Sequence, residues 1–300
     1  MTAAVRLFAG IELGGTKCVC LLASGPDAII DDVRIPTVEP AGTLRAIAAI
    51  IRDWQRKHSI AALGIASFGP LERNRSSPGY GQMLTTPKPG WSGIDLLAPF
   101  GDLGLPVELD TDVNGAALAE ARWGAAQGLR DFAYITVGTG IGVGTILDGR
   151  PVGQHAHSEA GHMRVGRLPG DDWPGACPFH GDCVEGLASG PAIEARTGRP
   201  PESLADDDPV WGVVAHALAA LCHNLTLTVV PARILLGGGI ALGRPALVMQ
   251  VQRLLEQSLG RYAQEIVGDR GFDGFVQPAR LGQLAGPLGA VALAMRAAGR

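Results

Sequence analysis

Twice in this chain an apolar, β-favouring run breaks on a glycine-threonine turn and then resumes. The first instance is Val5–Leu13, Gly14-Gly15-Thr16 and Lys17–Ala23; the second is Phe132–Val137, Gly138-Thr139-Gly140 and Ile141–Leu147. Each reads as a β-hairpin closed by glycine. Their recurrence, once near the start of each half, predicts an internal duplication. Leu44, Ile47, Ala48, Ile51 and Trp54 fall at helical spacing and predict a helix over about 43–57, leading into a strand over Ile60–Ser67. A strand at Pro106–Leu109 reaches Asp110-Thr111-Asp112 and launches a helix from Val113. Helices follow at about 189–197 and 209–228, then a strand at Arg233–Leu236 ending in Gly237-Gly238-Gly239-Ile240, and a last helix within Leu284–Ala298. Hairpins followed by strand-helix units predict α/β lobes with mixed sheets.

A chain of 300 residues is long for one ordinary core and suits two lobes. The expected division is an N-terminal lobe over 1–120, with the C-terminal helix at about 286–300 packing back on it, and a second lobe over 121–285. A formal net charge of −4 gives no electrostatic support to a nucleic-acid partner. No uninterrupted apolar window of spanning length occurs, and Arg6 and Glu12 interrupt the place of a signal peptide's apolar core, so no membrane is expected and the cytoplasm is. In that reducing compartment the five cysteines should be thiols or metal ligands.

Three glycine turns at strand ends offer unobstructed backbone N–H groups of the kind that cradle phosphate: Gly14-Gly15-Thr16-Lys17, Gly138-Thr139-Gly140 and Gly237-Gly238-Gly239. None is a GxxxxGK[ST] or GxGxxG motif. Asp112 stands where a strand gives way to a helix. A carboxylate there serves either as a helix cap or as a general base on a rigid strand end, and Asn114 or Asp110 could do the capping instead. The loop from Phe68-Gly69-Pro70 to about residue 93 is long enough to suggest function. Cys177, His180 and Cys183 form Cys-x2-His-x2-Cys, and His162 completes two thiolates and two imidazoles, the ligand set of a closed tetrahedral structural zinc site. His155 and His157 read as polar surface.

The stretches GIELGGTKCVC, ASFGP, TTPKPGW, TDVNGAALAE, ITVGTGIGVG, SEAGH, CPFHGDCVEGLASGPAIEAR and LLGGGI, in this order, resemble the ROK group of sugar kinases and repressors, and its bacterial fructokinase branch in particular. The resemblance implies a two-lobed actin-like (ribonuclease H-like) fold with a zinc-stabilised loop, and transfer of the γ-phosphoryl group of ATP, with Mg²⁺, to a sugar hydroxyl. It makes Asp112 the catalytic base and Glu159, His162, Glu185, Thr111 and Gly69 the sugar-side residues. Gly14, Gly15, Thr16 and Lys17 become the first phosphate loop and Gly138, Thr139 and Gly140 the second. Gly237, Gly238, Gly239 and Ile240, with Gly190 and Pro191, become the nucleotide pocket, and His162, Cys177, His180 and Cys183 hold structural zinc.

D-fructose, giving fructose 6-phosphate, is the first expected substrate; a kinase for glucose, mannose or an N-acetylhexosamine and a non-catalytic zinc-dependent sugar sensor are the alternatives. Repressors of the group carry a helix-turn-helix, for which the stretch before residue 14 leaves no room. A homodimer is implied. Many relatives have Asp at Glu12, Asn at Thr111 and Cys at His180. The zinc loop is expected to act as a clasp for Glu159 and Glu185, so that stripping zinc impairs sugar binding more than ATP binding.

Overall fold

The structure is a computed structural model that describes residues 6–153, 156–267 and 271–299; His155 lies outside them. The chain forms two compact units, one from Met1–Gly124, Val152–His157 and Leu284–Arg300, the other from Ala125–Pro151 and Ser158–Gln283. The first unit opens with β1 (Leu7–Leu13), β2 (Lys17–Gly25), β3 (Ala28–Pro36), α1 (Pro40–Lys57), β4 (Ile60–Ser67), β5 (Val107–Thr111) and α2 (Asp112–Trp123). Its sheet runs β3-β2-β1-β4-β5, with β1, β2 and β3 antiparallel and β4 and β5 parallel to β1.

The second unit holds β6 (Phe132–Val137), β7 (Ile141–Leu147), β8 (Arg150–Pro151), α3 (Val184–Ala188), α4 (Gly190–Thr197), α5 (Val210–Val229), β9 (Ile234–Gly237), α6 (Gly238–Leu242), α7 (Pro245–Leu259), α8 (Tyr262–Val267) and β10 (Val276–Pro278). Its sheet runs β10-β9-β6-β7-β8, again three antiparallel strands followed through β6 by two parallel ones. Read from the far end, this is the strand order and sense of the first sheet. The two glycine hairpins are β1-β2 and β6-β7, the equivalent pair in each. The last helix, α9 (Ala285–Ala298), belongs to the first unit.

Alternation along the strands distributes the two faces of the first sheet. Ala9, Ile11 and Leu13 of β1, Cys18, Cys20 and Leu22 of β2, and Leu63 and Ile65 of β4 join Leu44, Ile47, Ala48, Ile51 and Trp54 of α1 in one core. The residues between them meet α9. A Cβ on Gly64 would lie 1.9 Å from the Ala290 carbonyl oxygen, and one on Gly10 would lie 2.8 Å from the Val291 nitrogen. Helices α2 and α9 cross at Gly115 and Gly289, where a Cβ on Gly289 would come 2.4 Å from the Gly115 carbonyl carbon. Glycine is required here so that helix backbone can reach strand and helix backbone directly.

In the second unit α5 is long and apolar enough to span a membrane by length and composition. Val214, Leu218, Leu221, Cys222 and Leu225 on it are buried in the core, together with Ile135, Val137, Ile234, Leu236 and residues of α7. The long segment after β4 is not a free loop. Leu71 bridges Met83, Gln82 bridges Asp95, and Trp91 is fully buried with its indole N–H donated to the Val38 carbonyl at 3.0 Å.

Gly64→Ala, which drives a methyl into the Ala290 carbonyl, should destabilise the protein by about 2–3 kcal/mol through overpacking. A shift of the urea unfolding midpoint measures it; an unchanged midpoint would show that α9 does not rest on β4 in this way.

Candidate functional site

Parallel register aligns the strand ends of the first unit. Leu13 pairs with Ser67, and Ser67 with Thr111, so β1, β4 and β5 finish side by side. The turn Gly14-Gly15-Thr16-Lys17, the segment Phe68-Gly69 and Asp112 all leave the sheet at this carboxyl edge, the edge at which open α/β sheets bind ligands. The Gly14 N–H donates to the Lys17 carbonyl at 3.1 Å, and Thr37 braces the turn by donating its hydroxyl to the Gly14 carbonyl at 2.7 Å. Gly15, Thr16 and Lys17 are exposed, and Lys88 donates its ammonium to the Gly15 carbonyl at 2.5 Å. Gly69 lies against the imidazole of His157, whose Nε2 accepts from the Leu71 N–H at 3.0 Å, so His157 is a structural brace.

Asp112 is the first residue of α2, but it is not the cap. Thr111 caps the helix, its hydroxyl accepting from the Asn114 N–H at 3.3 Å. That corrects the expectation that Asn114 or Asp110 would do so. Asn114 instead donates its side-chain amide to Asp110 at 2.8 Å, and Asp110 is ion-paired with Arg73 at 2.7 Å, both nearly buried. With its neighbours so engaged, the partly buried Asp112 carboxylate accepts only from backbone amides among the described residues, that of Val113 at 2.8 Å and its own. Burial raises its pKa from 3.8 to about 6. Glu12, given no role by the sequence reading, is raised to about 7, chiefly by burial and then by the negative charge of Asp112; Lys17 and Arg34 oppose the shift. Its carboxylate presses on Gly286 at the start of α9.

In the second unit, register again sets an edge. Thr136 pairs with Gly237 and Leu236 with Pro278, so the turns after β6 and β9 emerge together. Gly138, Thr139, Gly190, Pro191, Gly239 and Ile240 line one cleft of about 800 Å³. The Gly190 N–H donates to the Gly138 carbonyl at 2.7 Å, which fixes the start of α4 against the turn. Gly237 does not line the cleft; it is packed against the Tyr134 hydroxyl. Gly238, at φ +83°, lies on the Val137 backbone. Sequence reasoning missed the rest of the lining, Glu194, Pro200, Pro201, Glu202, Leu204, Asp206, Gly243 and Arg244. Arg244 organises this part of the wall. It stacks 4.0 Å over the Trp211 ring, pairs with Asp206, and donates to the carbonyls of Pro201 at 2.8 Å and Leu204 at 2.9 Å.

The four candidate metal ligands converge, with one donor atom from each of His162, Cys177, His180 and Cys183 lying within 4.8 Å of all the others. Tetrahedral zinc with ordinary Zn–S and Zn–N bonds requires sulfur-to-nitrogen edges of about 3.6 Å. Cys177 Sγ lies 3.6 Å from His162 Nδ1 and 3.7 Å from His180 Nδ1, and Cys183 Sγ lies 3.6 Å from His162 Nδ1. The donor set therefore fits zinc in both chemistry and spacing. All five cysteines are free of disulfides. His162 turns its other nitrogen, Nε2, towards Glu159 at 4.0 Å and Glu185 at 3.9 Å, close in charge but beyond direct hydrogen-bond reach.

Metal analysis of the purified protein should find one zinc per chain. Cys183→Ser should lose it, with a fall in affinity beyond the roughly 10–100-fold that removing an outer-shell partner causes. Full zinc content in that variant would exclude Cys183 as a ligand.

Comparison with known proteins agrees with this construction. The ROK family profile matches residues 8–297. A fructokinase of Pediococcus pentosaceus is 38% identical over 292 residues, covering 97% of this chain and 98% of its own. A fructokinase of Zymomonas mobilis is 40% identical over 302 residues, 97% of each chain. Among solved structures, a ROK family glucokinase from Streptomyces griseus in complex with glucose and AMPPNP superposes with a TM-score of 0.71 at 26% identity, over 97% of this chain and 99% of that one. With the fold, the repeated edges and the order of motifs in accord, this chain belongs to the ROK family.

Proposed function

We propose that the protein transfers the γ-phosphoryl group of ATP to a hexose hydroxyl, D-fructose before other hexoses, giving fructose 6-phosphate. The observation that carries this reading is Asp112: a partly buried carboxylate on a rigid strand end, relieved of capping by Thr111 and raised to about 6. Such a group is ionised at neutral pH yet basic enough to take a hydroxyl proton as the phosphoryl group departs. The two fructokinases at 38% and 40% identity support fructose, and the glucose and AMPPNP held by the Streptomyces griseus relative support a sugar and a nucleotide as co-substrates.

Phosphoryl transfer depends on positioning and charge neutralisation more than on covalent help. The backbone amides of the Gly14–Thr16 and Gly138–Gly140 turns bind phosphate oxygens, and the cleft beside Gly239 and Arg244 takes the nucleotide. Glu159, His162 and Glu185 orient the sugar, whose many hydroxyl donors suit carboxylate acceptors. Glu12, a carboxylate near enough to Asp112 to feel its charge, is a hard oxygen donor fitted to hold Mg²⁺ beside the phosphates while Asp112 stays free to act as base. Mg²⁺, when bound, neutralises developing charge on the transferred group. Zinc has no open ligand position in a four-donor site, so its part is structural. The protein works as a cytoplasmic homodimer, for which sedimentation should give twice the 31.1 kDa of one chain.

A coupled assay with MgATP against fructose, glucose, mannose and N-acetylhexosamines tests the assignment directly. Turnover should be highest with fructose, and no turnover with any sugar would overturn the reading. Because Asp112 must be ionised, kcat/KM should fall about tenfold per pH unit below about 6 and level off above it. Asp112→Asn should lower turnover by about 10²–10⁴-fold. The folded state binds the Asp112 proton more tightly than the unfolded chain does, so ionising this carboxyl costs stability as pH rises through about 4 to 6. At pH 7.5 the same variant should therefore be more stable than the parent, by an amount of the order of 2 kcal/mol. Retained turnover would remove Asp112 from the mechanism.

A further inference from the structure

The turn Gly138-Thr139-Gly140 is held from the metal side. The Glu185 carboxylate divides its two oxygens: Oε1 lies 3.9 Å from His162 Nε2, and Oε2 accepts from the Ile141 N–H at 3.0 Å. Gly140 closes around that carboxylate, since a Cβ there would sit 2.8 Å from Oε2. Glu185 cannot drift, because its helix α3 starts on a metal ligand. Cys183 caps α3, its sulfur accepting from the Gly186 N–H at 3.4 Å. Gly186 is packed so closely on the cysteine loop that a Cβ would lie 1.9 Å from the Gly181 carbonyl oxygen. A second contact runs in parallel: a Cβ on Gly161, next to His162, would lie 1.7 Å from the Ile141 carbonyl oxygen. The backbone of Ile141 thus has its N–H bound by Glu185 and its C=O packed against Gly161, both residues close in sequence to the candidate metal ligands.

We infer that Glu185 is a positioning residue that couples occupancy of the Cys/His metal site to the shape of the Gly138–Gly140 turn, and so to nucleotide affinity. The inference rests on the kinase reading above. It adds a nucleotide arm to the expectation that stripping zinc impairs sugar binding more than ATP binding. Coupling between two binding sites is reciprocal, so a metal that tightens the nucleotide must itself be tightened by it, by the same factor.

AMPPNP with Mg²⁺, titrated without sugar, reads the nucleotide arm, because loss of a sugar contact would leave it unmoved. Glu185→Ala should weaken AMPPNP about 5–10-fold. Glu185→Gln, whose amide oxygen still accepts from Ile141, should stay within about twofold of the parent by the same measure. AMPPNP should slow zinc extraction by a chromogenic chelator from the parent protein and leave extraction from Glu185→Ala unchanged. Gly140→Ala, which displaces only the tip of the Glu185 side chain, should weaken AMPPNP while zinc content stays at one per chain; it decides the matter if Glu185→Ala does not fold. Nucleotide binding equal to the parent in Glu185→Ala, or in Gly140→Ala where the former is unfolded, overturns the inference. Hydrogen exchange at the Ile141 amide reads the same strut without nucleotide: faster exchange in Glu185→Ala and Gly140→Ala is expected, and unchanged exchange in them overturns the inference. Absence of AMPPNP binding to the parent with a protected Ile141 amide would instead sink the kinase reading.

Discussion

Flush parallel register is the constraint on which the rest of this structure depends. Because Leu13, Ser67 and Thr111 finish side by side, a glycine turn, a bend and a helix start are delivered to one edge of the first sheet. Because Thr136 faces Gly237, the second sheet delivers two glycine turns in the same manner. A slip of one residue in any of these pairings would send each buried side chain to the other face and each terminal group away from its neighbours. The apolar alternation of Ala9, Ile11 and Leu13 against α1 forbids such a slip, so the packing of the core and the placing of the polar edge are one requirement.

At that edge, polar groups are separated by how fully they are engaged. Asp110 is neutralised by Arg73 and bonded by Asn114, and Thr111 is taken by the helix it caps. Asp112, one residue on, accepts from backbone amides alone among the described residues, and Glu12 lies close enough to feel its charge. Three successive residues of similar polarity thus take three different parts. Both carboxyls are raised, Asp112 to about 6 and Glu12 to about 7, the kind of perturbation that collects where ionisable groups do chemistry.

Much of this was legible in the sequence. The helical spacing of Leu44 to Trp54 gave α1, and the two glycine hairpins gave the repeated start of each sheet. The two thiolates and two imidazoles came together as their spacing implied. Elements whose order depends on distant neighbours were harder to read. Strand β3 is a largely exposed edge whose apolar alternation is confined to Val33 and Ile35, and pairing with β2, with the Trp54 indole donating to Asp31 at 2.8 Å, holds it in place. The return of Val152–His157 to the first unit has no local signal, because Arg73 and Leu71, far earlier in the chain, hold it by backbone and histidine bonds. The wall made by Arg244 was invisible for the same reason: its partners lie 33 to 43 residues away. The cap on α2 was misassigned because Asp110, Thr111, Asp112 and Asn114 are all good capping residues, and sequence alone does not say which of them buried partners have already claimed.

The seat of α9 on Gly10 and Gly64 bears on how the chain is made. The first sheet emerges from the ribosome early, yet the helix that covers its glycine-lined face follows the whole of the second unit. About 160 residues, nearly all of them the second unit, lie between. At ordinary translation rates that face stands open for roughly ten to thirty seconds on every nascent chain. For that interval the order of synthesis, more than equilibrium stability, sets how long the chain must be kept from its neighbours.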